Sequence, residues 1–463
     1  MEWFVDAEIN QNALNDFFEG MNRSKFEVHT MQIYRGDRRI LRLAQEPYSC
    51  TDPREVYSLS KIFTSTVVGI AVDHGLVRTE DRLVDIFGRK NASEKMSHMT
   101  LKNLLSMNTG HDRCVLPEME AARDSVEAFF GVEPLYEPGT HFTYNTGASC
   151  LLGSVVERVS GRDFFDYACE NLFYPLGITD VSWRRCTDGR CYGGTGLYAS
   201  NDDIMKLGRM YKNGGVYHGR RILSSEWIAE ASSYVSDNSS NGTPDWCSGY
   251  GYQIWLNSRG GYRGDGAFGQ LCSILPGRDL VVAIQAMGGD MQRELDYIFT
   301  FLDRMDGGNN SGGKVFSFAP LPAGEIIPQM DEIFVLDENQ ANFHSARIKA
   351  GGNSLQLSFS DGQSIQTVSA RSGCWTMNTC SMQHMQPCLI GHLPTEGRET
   401  LAMAVCCSQE GNKTVLDVRY RTSPHRERWE ITVEDGKFSI AFAEPDGCLF
   451  RPENMRKLTG HKR

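Results

Sequence analysis

The strongest constraint on the fold of this chain is an apolar segment that follows directly on a polar one. Between Ile62 and Val72 the side chains are apolar on most sides of a helix, and the segment ends at His74-Gly75. A helix without a broad polar face is buried, and glycine is common just after a helix end. The sequence therefore predicts a core helix that begins near Ser58.

Two residues at the start of this helix, Ser58 and Lys61, form an S-x-x-K pattern. Residues three apart lie on one face of a helix, and the helix dipole favours negative charge at this end. A lysine in apolar surroundings has a lowered pKa, so it can take a proton from a serine hydroxyl. The pattern predicts a nucleophile with its base. The alternative is that Ser58 only caps the helix and Lys61 lies at the surface.

A second S-x-x-K pattern, Ser311 to Lys314, lies in a glycine-rich segment with the sequence Gly-Gly-Asn-Asn-Ser-Gly-Gly at 307–313. This composition is typical of a flexible linker. A chain of 463 residues is long enough for two domains. We therefore predict a first domain over 1–306, a linker over 307–319 and an accessory domain over 320–463.

The first domain is predicted to be of mixed α/β (α+β) type. A strand hairpin near its start and further strands near its end suggest one sheet that both ends share, with helices between them. The predicted helices are 11–21, the core helix from 58, 101–107, 125–130, 148–160, 204–212 and 291–305, and the predicted strands are 27–34, 38–44, 249–256, 269–275 and 280–286.

The accessory domain is predicted to be a small antiparallel barrel or sandwich. Turn sequences such as Ser-Asp-Gly at 360–362 and Glu-Asp-Gly at 434–436 separate short alternating segments, which favours hairpins. We expect a packing or lid module, because no nucleophile pattern stands out. The predicted strands are 332–336, 345–349, 354–359, 401–405, 414–420, 428–433 and 437–443.

Charge and hydropathy exclude several classes of partner. The net charge of −11 is spread along the chain and no basic tract occurs, so we expect no nucleic-acid partner. No apolar stretch approaches the ~20 residues of a membrane span, so we expect no membrane partner. The first residues lack the basic start and apolar core of a signal peptide, which favours a cytoplasmic location.

The 14 cysteines are scattered, and no C-x-x-C pair occurs. We expect them to be reduced thiols that fill small apolar sites. A zinc site around Cys186 and Cys191 is the alternative, but their spacing fits no common ligand pattern. We predict no metal ion and no cofactor.

Four stretches, taken in order, resemble the penicillin-binding, serine β-lactamase-like hydrolase family. They are residues 57–61, 100–110, 142–147 with 151–153, and 264–270, and the segment 196–227 is also similar. The resemblance covers about residues 20–305. It implies a β-lactamase/transpeptidase-like domain, in which an antiparallel sheet is flanked by a helical subdomain, and a small-molecule acyl substrate.

The resemblance also implies roles for particular residues. Ser58 would attack an acyl carbonyl, Lys61 would hold the proton network, and Tyr144 would act as base and then as acid. A nearby ammonium would favour the phenolate of Tyr144. The backbone N–H groups of Ser58 and Ala267 would form an oxyanion hole, with Gly266 allowing a close approach. The alternative for Tyr144 is a core tyrosine.

The second motif departs from the family pattern Tyr-x-Asn, because here it is Tyr144-Asn145-Thr146. Either the Asn145 amide, one position earlier than usual, takes the part of the motif's Asn side chain, or the Thr146 hydroxyl replaces that side chain.

The third motif departs as well, because the family usually begins it with Lys or His. Here the candidates are Arg263, Gly264 and Asp265. An acidic or absent group would disfavour substrates with a carboxylate, such as penicillins and D-Ala-D-Ala peptides, whereas an inward-pointing Arg263 would restore the attraction. We therefore expect neither β-lactamase nor cell-wall peptidase activity.

The sequence thus favours a serine hydrolase that cleaves an ester or amide of a small molecule. An acyltransferase that uses the same acyl-serine and a catalytically silent binding protein of the same fold are the alternatives. His111 is expected to cap a turn, with lining of the cleft as the alternative. Trp246 and Trp255 are candidates to wall the pocket, although Trp255 is expected rather to pack within a strand. The oligomeric state stays open.

Overall fold

A computed structural model describes residues 2–308, 321, 329–382, 400–443 and 456–463. Within these residues the chain forms two compact units. One contains residues 2–44 and 50–308, and the other contains residues 45–49 together with the described residues from 321 onward. The second S-x-x-K pattern and most of the predicted linker lie outside the described residues, so the boundaries at 306 and 320 stay a prediction.

The helices of the first unit lie mainly between two groups of strands. In chain order they are α1 Gln11–Arg23, α2 Ser60–Asp73, α3 Leu83–Phe87, α4 Glu94–His98, α5 Leu101–Leu105, α6 Leu116–Ala121, α7 Ser125–Phe130, α8 Thr146–Ser160, α9 Phe164–Ala168, α10 Asn201–Lys212, α11 Ser225–Ala231 and α12 Met291–Arg304. Short 3-10 turns cover Tyr57–Leu59, Ser239–Asn241, Pro244–Trp246 and Pro276–Arg278, and a π-helical turn covers Cys169–Phe173.

The strands of the first unit form one main antiparallel sheet and two small ones. They are β1 Glu2–Val5, β2 Glu27–Arg35, β3 Arg38–Ala44, β4 Arg54–Glu55, β5 Ser182–Trp183, β6 Leu197–Ala199, β7 Val216–Tyr217, β8 Arg220–Arg221, β9 Trp255–Leu256, β10 Tyr262–Gly266, β11 Gln270–Leu275 and β12 Leu280–Met287. The order in the main sheet is β1-β3-β2-β12-β11-β10-β9, while β4-β6-β5 and β7-β8 pair separately.

The pairing of β2 with β12 joins the two ends of the unit at the centre of the main sheet. Ile33 lies opposite Val282 and Met31 lies opposite Ile284, and all four side chains are fully buried. Every residue of β12 is buried, so both faces of the sheet are covered. The prediction that the terminal strands share one sheet is confirmed.

Helix α2 is the buried helix that the sequence predicts. Its residues from Ser60 to Ala71 are all buried. Gly69 lies under the indole of Trp227, where an added Cβ would come within 2.6 Å of Nε1. The α-helix begins at Ser60 rather than at Ser58, because a 3-10 turn over Tyr57–Leu59 precedes it. Ser58 therefore lies at the entrance of the helix and does not serve as its side-chain cap.

The second unit is a closed antiparallel barrel. Its strands are β13 Met330–Leu336, β14 Ser345–Gly351, β15 Ser354–Ser360, β16 Ile365–Arg371, β17 Thr376–Cys380, β18 Leu401–Glu410, β19 Lys413–Tyr420, β20 Arg426–Glu434, β21 Lys437–Ala443 and β22 Lys457–Lys462. Their order is β16-β15-β14-β13-β22-β21-β20-β19-β18-β17. A parallel bridge between Arg371 and Cys406 joins β16 to β18 and closes the ring. Alternating side chains, among them Phe334, Leu357 and Trp429, fill its interior.

The positions of the cysteines confirm only in part the prediction that they fill small apolar sites. Most of the described cysteines are free and buried, as expected for small apolar fillers, but Cys374 is exposed and Cys114 and Cys247 are partly exposed. In the part of the chain that the structure covers, no group of three or more His, Cys, Asp or Glu side chains is placed to hold a metal ion. Among those same residues, no helix has both the length and the apolar character to cross a membrane.

Candidate active site

Ser58 lies on a tightly fixed turn at the N-terminal end of α2. The preceding residue, Tyr57, has a positive φ of 49°. The hydroxyl of Ser60 donates to the Tyr57 carbonyl over 2.5 Å and accepts from the backbone N–H of Leu197 over 3.2 Å. These bonds tie the turn to strand β6. The Ser58 side chain is partly exposed, while both of its neighbours in the chain are buried.

Lys61 extends from α2 to the Ser58 hydroxyl and is almost completely buried. Its Nζ donates to Ser58 Oγ over 2.9 Å, to Thr146 Oγ1 over 3.3 Å and to the Gly194 carbonyl over 2.7 Å. Burial lowers the pKa of Lys61 to about 8, although the nearby Cys150 thiol acts in the opposite direction. An ammonium with this pKa is partly neutral near physiological pH and can then accept a proton. The alternative of a surface lysine is wrong.

Tyr144 completes the group from a different part of the chain. Lys61 Nζ, which bonds to Ser58 Oγ, lies 4.8 Å from the centre of its ring, and the Ser58 side chain acts to lower the pKa of its hydroxyl. The ring stacks on Trp255 with centroids 5.3 Å apart and an interplanar angle of 20°. The structure thus brings Ser58, Lys61 and Tyr144 together, although they are up to 86 positions apart in the sequence.

The expected pKa shift of Tyr144 is wrong in direction. Burial raises the pKa of the phenol, and the carboxyl of Asp265 adds to the increase. The ammonium of Lys61 lies over the ring face rather than at the hydroxyl, so it does not offset the loss of hydration. In the resting site Tyr144 is therefore a neutral phenol, which can donate a proton.

Of the two candidates in the second motif, Thr146 is the residue whose hydroxyl contacts Lys61. Asn145 instead caps helix α8. Its fully buried Oδ1 accepts from the backbone N–H of Ala148 over 3.3 Å and of Val115 over 3.1 Å. The amide therefore fixes the start of α8, and the hydroxyl one residue later faces the lysine.

The contact of Lys61 with Gly194 was not anticipated from the sequence. Gly193 and Gly194 pass so close to α8 that added Cβ atoms would lie 2.5 Å from the Ser149 carbonyl and 2.7 Å from Thr146 Cγ2. Only a residue without a side chain allows this approach. The adjacent pair of glycines is the signal that could have identified this segment.

Strand β10 carries the third motif against the entrance of α2. A Cβ on Gly266 would lie 3.2 Å from the backbone nitrogen of Ser58, and a Cβ on Gly264 would lie 2.8 Å from Ile62 Cγ2. These glycines bring the strand next to the nucleophile, while the expected close approach of Gly266 to a substrate stays a prediction. Ala267 follows directly at the end of the strand and is partly exposed.

Arg263 is directed into the protein and its hydrogen bonds go to the protein's own groups. Its Nε donates to Asp265 Oδ2 over 2.9 Å, its Nη1 to Asn257 Oδ1 over 3.0 Å, and its Nη2 to the carbonyl of Asp245 over 2.8 Å. The side chain is completely buried. Burial raises the pKa of Asp265, and the attraction to Arg263 opposes this. Arg263 is therefore not placed to attract a substrate carboxylate.

Both ring nitrogens of His111 lie close to oxygen atoms of the protein. It is buried, its Nδ1 is 2.9 Å from Thr109 Oγ1 and its Nε2 is 3.0 Å from the carbonyl of Val132. Burial lowers its pKa, which favours the neutral imidazole. The expected turn-capping role agrees with these contacts.

Comparison with known proteins assigns the chain to a family. The family model described as Beta-lactamase matches residues 20–301, so this chain belongs to the β-lactamase family. The match covers the main sheet from β2 to β12 and the helices between them. It includes all eight residues that the sequence analysis placed in the site.

Individual relatives differ in the activity that their names give. Acyltransferase mokF of Monascus pilosus is 24% identical over 219 residues, which are 35% of this chain and 53% of that protein. Lovastatin esterase of Penicillium rubens is 27% identical over 180 residues, or 33% of this chain and 45% of the relative. This chain thus spans about half the length of these curated relatives.

A similar fold is found in the solved structure of EstCE1, described as a hydrolase with promiscuous acyltransferase activity. The TM-score is 0.54 at 15% identity, and the match covers 64% of this chain and 98% of EstCE1. At this identity the likeness concerns the fold.

Proposed function

We propose that this protein is a serine hydrolase that cleaves an ester or amide of a small molecule through an acyl-Ser58 intermediate. One observation carries the proposal. The buried Lys61, whose pKa is lowered to about 8, places its Nζ 2.9 Å from the Oγ of a partly exposed serine. This is the arrangement of an activated nucleophile with its base.

Acylation follows from the protonation states of the resting site. Neutral Lys61 takes the proton of the Ser58 hydroxyl as Oγ bonds to the substrate's carbonyl carbon. The neutral phenol of Tyr144 then gives its proton to the departing alcohol or amine when the bond to the acyl group breaks. The site is left with an ester on Ser58, an ammonium on Lys61 and a phenolate on Tyr144, and because burial raises the pKa of Tyr144 this phenolate is a strong base that readily takes a proton.

Deacylation reverses these transfers. A water molecule gives a proton to the Tyr144 phenolate and attacks the acyl carbon. The bond from Ser58 Oγ to the acyl group then breaks, and Lys61 returns its proton to Oγ. The backbone N–H groups of Ser58 and Ala267 would stabilise the oxyanion in both halves of the reaction. The close approach of Gly266 to Ser58, where an added Cβ would lie 3.2 Å from the Ser58 nitrogen, supports this placement.

The third motif supports a substrate without a carboxylate at this position. Arg263, the only basic residue in 262–270, is bonded to Asp265, Asn257 and the Asp245 carbonyl. A carboxylate placed here would lose hydration without gaining a partner from that segment. We therefore favour esterase or amidase activity over hydrolysis of penicillins.

Labelling of the nucleophile tests the proposal. The full-length protein is treated with a fluorophosphonate and its intact mass is measured. A single adduct is expected, and it should be absent from Ser58→Ala. Ser311→Ala, which removes the serine of the second S-x-x-K pattern, is the matched control and should label fully. No adduct on the wild-type protein would favour the silent binding protein.

Acyl transfer is the second candidate, because mokF is named an acyltransferase. The same acyl-Ser58 would then pass its acyl group to an alcohol or amine in place of water. Product analysis with added 1-butanol separates the two activities. Free acid alone supports hydrolysis, and a dominant butyl ester supports transfer.

We also propose a cytoplasmic location. The free thiols of the described residues support it, since exposed and partly exposed cysteines persist in a reducing compartment. Cell fractionation with detection of the native protein tests this, and recovery from the culture medium would contradict it.

A further inference from the structure

A cluster of aromatic rings lies beside the nucleophile. Phe142, Tyr144 and Trp246 are partly exposed and pack against the buried rings of Tyr250 and Trp255. The centroid of Trp255 is 6.0 Å from that of Phe142, 5.3 Å from that of Tyr144 and 6.2 Å from that of Trp246. We call the three partly exposed rings the aromatic wall.

The aromatic wall is continuous with the reacting atoms. Tyr144 belongs to it through its ring, whose centre is 4.8 Å from Lys61 Nζ, and the same Nζ is 2.9 Å from Ser58 Oγ. In the proposed function the Tyr144 hydroxyl protonates the departing alcohol or amine. The rings around Tyr144 therefore line the side of the site on which the leaving group lies.

The aromatic wall covers the guanidinium of Arg263. The guanidinium of Arg263 lies 4.6 Å from the ring centre of Trp246 and 5.8 Å from that of Trp255. It is completely buried, and its partners are protein groups, among them Asp265. A ligand on Phe142 and Trp246 would thus meet ring surface and not this guanidinium, whereas the ammonium of Lys61 lies at the Tyr144 end of the wall. Such a ring surface binds a ligand mainly by burying the ligand's apolar groups.

From this geometry we propose that the aromatic wall binds an apolar, uncharged leaving group, so that the substrates are esters or amides of hydrophobic alcohols or amines. The inference rests on the proposed function, since it takes the direction of the leaving group from the role of Tyr144. An alkyl chain or an aryl ring would lie against Phe142 and Trp246. A carboxylate on the leaving group would lose its hydration there without a partner.

Three acetate esters with matched chemistry at the scissile bond test the substrate class. Ethyl acetate, hexyl acetate and 5-acetoxypentanoate are all esters of primary alcohols and differ in the far end of the leaving group. A fully buried methylene contributes about fourfold in affinity. For the wild-type protein we expect kcat/KM for hexyl acetate to exceed that for ethyl acetate at least about 10-fold. The value for 5-acetoxypentanoate should fall below that for ethyl acetate.

Variants locate this preference. In Phe142→Ala and Trp246→Ala, made separately, the hexyl-to-ethyl ratio should fall at least about threefold, close to the loss of one buried methylene. Trp246→Phe should keep most of the ratio because it retains a ring. Tyr174→Ala removes an exposed aromatic side chain elsewhere in the same unit and should leave the ratio unchanged. Thermal melting and circular dichroism establish that each variant is folded.

The outcomes separate this inference from the proposed function. An unchanged ratio in both folded alanine variants, or a wild-type preference for 5-acetoxypentanoate, would overturn the role of the aromatic wall while Ser58→Ala remains inactive. Full turnover of hexyl acetate by Ser58→Ala would instead overturn the proposed function itself. If either alanine variant fails to fold, Phe142→Leu and Trp246→Leu replace it with the same expected direction.

Discussion

The ring of Tyr57 packs edge-on against the ring of Phe268, with centroids 5.3 Å apart and an interplanar angle of 69°. Both residues have positive φ values, 49° and 70°. This conformation is strained for an aromatic residue. Tyr57 directly precedes Ser58 and Phe268 directly follows Ala267, so the contact joins the two segments whose N–H groups we place at the oxyanion.

We expect Phe268→Ala to lower kcat/KM about 10-fold, because loss of the ring frees one of the two donors to move, and complete loss of a donor costs about 10²–10³. The measurement compares an ester with its thionoester, whose sulfur is a poor acceptor for these N–H groups. The oxygen-to-sulfur rate ratio should fall in the variant and stay unchanged in Phe268→Tyr. An equal loss for both substrates in Phe268→Ala would show that the contact has no part in oxyanion binding.

The activity should rise with pH through about 8, because burial lowers the pKa of Lys61 to that value and only the neutral amine accepts the Ser58 proton. The profile of kcat/KM against pH between 6 and 9.5 measures this for the free enzyme. Below pH 8 the rate should fall about 10-fold per unit. Lys61→Arg keeps the charge across this range and should remove most of the activity. A flat wild-type profile would exclude Lys61 as the base.

Tyr144→Phe should slow hydrolysis of hexyl acetate at least about 10²-fold, the low end for loss of a general acid. The loss should be smaller for 4-nitrophenyl acetate, whose leaving group departs without a proton. Tyr211→Phe, which alters a buried tyrosine bonded to Thr66, is the matched control and should lose little activity. Equal losses for the two esters would contradict the acid role of Tyr144.

We expect substitution of Asn145 to lower the stability of the protein and substitution of Thr146 to lower its activity. Asn145→Ala removes the cap of α8 and the partner of a buried N–H, so it should lower the free energy of unfolding by about 2 kcal/mol. Thr146→Val removes only an acceptor of Lys61. It should reduce kcat severalfold and leave the denaturation midpoint within about 0.5 kcal/mol. The reverse pattern would mean that the amide, not the hydroxyl, serves the site.

Much of the fold could be predicted because local patterns agreed with the final packing. The apolar side chains of α2, the hairpin β2–β3 and seven of the ten described barrel strands were recognised in the sequence, whereas β16, β17 and β22 were not predicted. Strand β10 was not predicted, because Tyr262–Gly266 contains two glycines and three polar or charged neighbours. It is a strand because β11 and β9 pair with it and because its glycines fit against α2.

The sequence predicted which residues form the site better than it predicted their pKa values and side-chain directions. Ser58 and Lys61 follow from one short motif, whereas the pKa of Tyr144 depends on how far the fold buries it. The direction of Arg263 also depends on partners distant in the sequence, such as Asp245. Whether Asn145 or Thr146 faces the lysine depends on the residue at which α8 begins. The motif alone does not fix that residue.

The central pairing of β2 with β12 has a consequence for synthesis of the protein. Ser58 and Lys61 leave the ribosome early, but β10 is held in the main sheet only through β11 and β12. A growing chain that ends before residue 287 therefore contains the nucleophile without a fixed oxyanion loop. We expect catalysis only once the closing strand has been translated, so prematurely terminated chains should be inert.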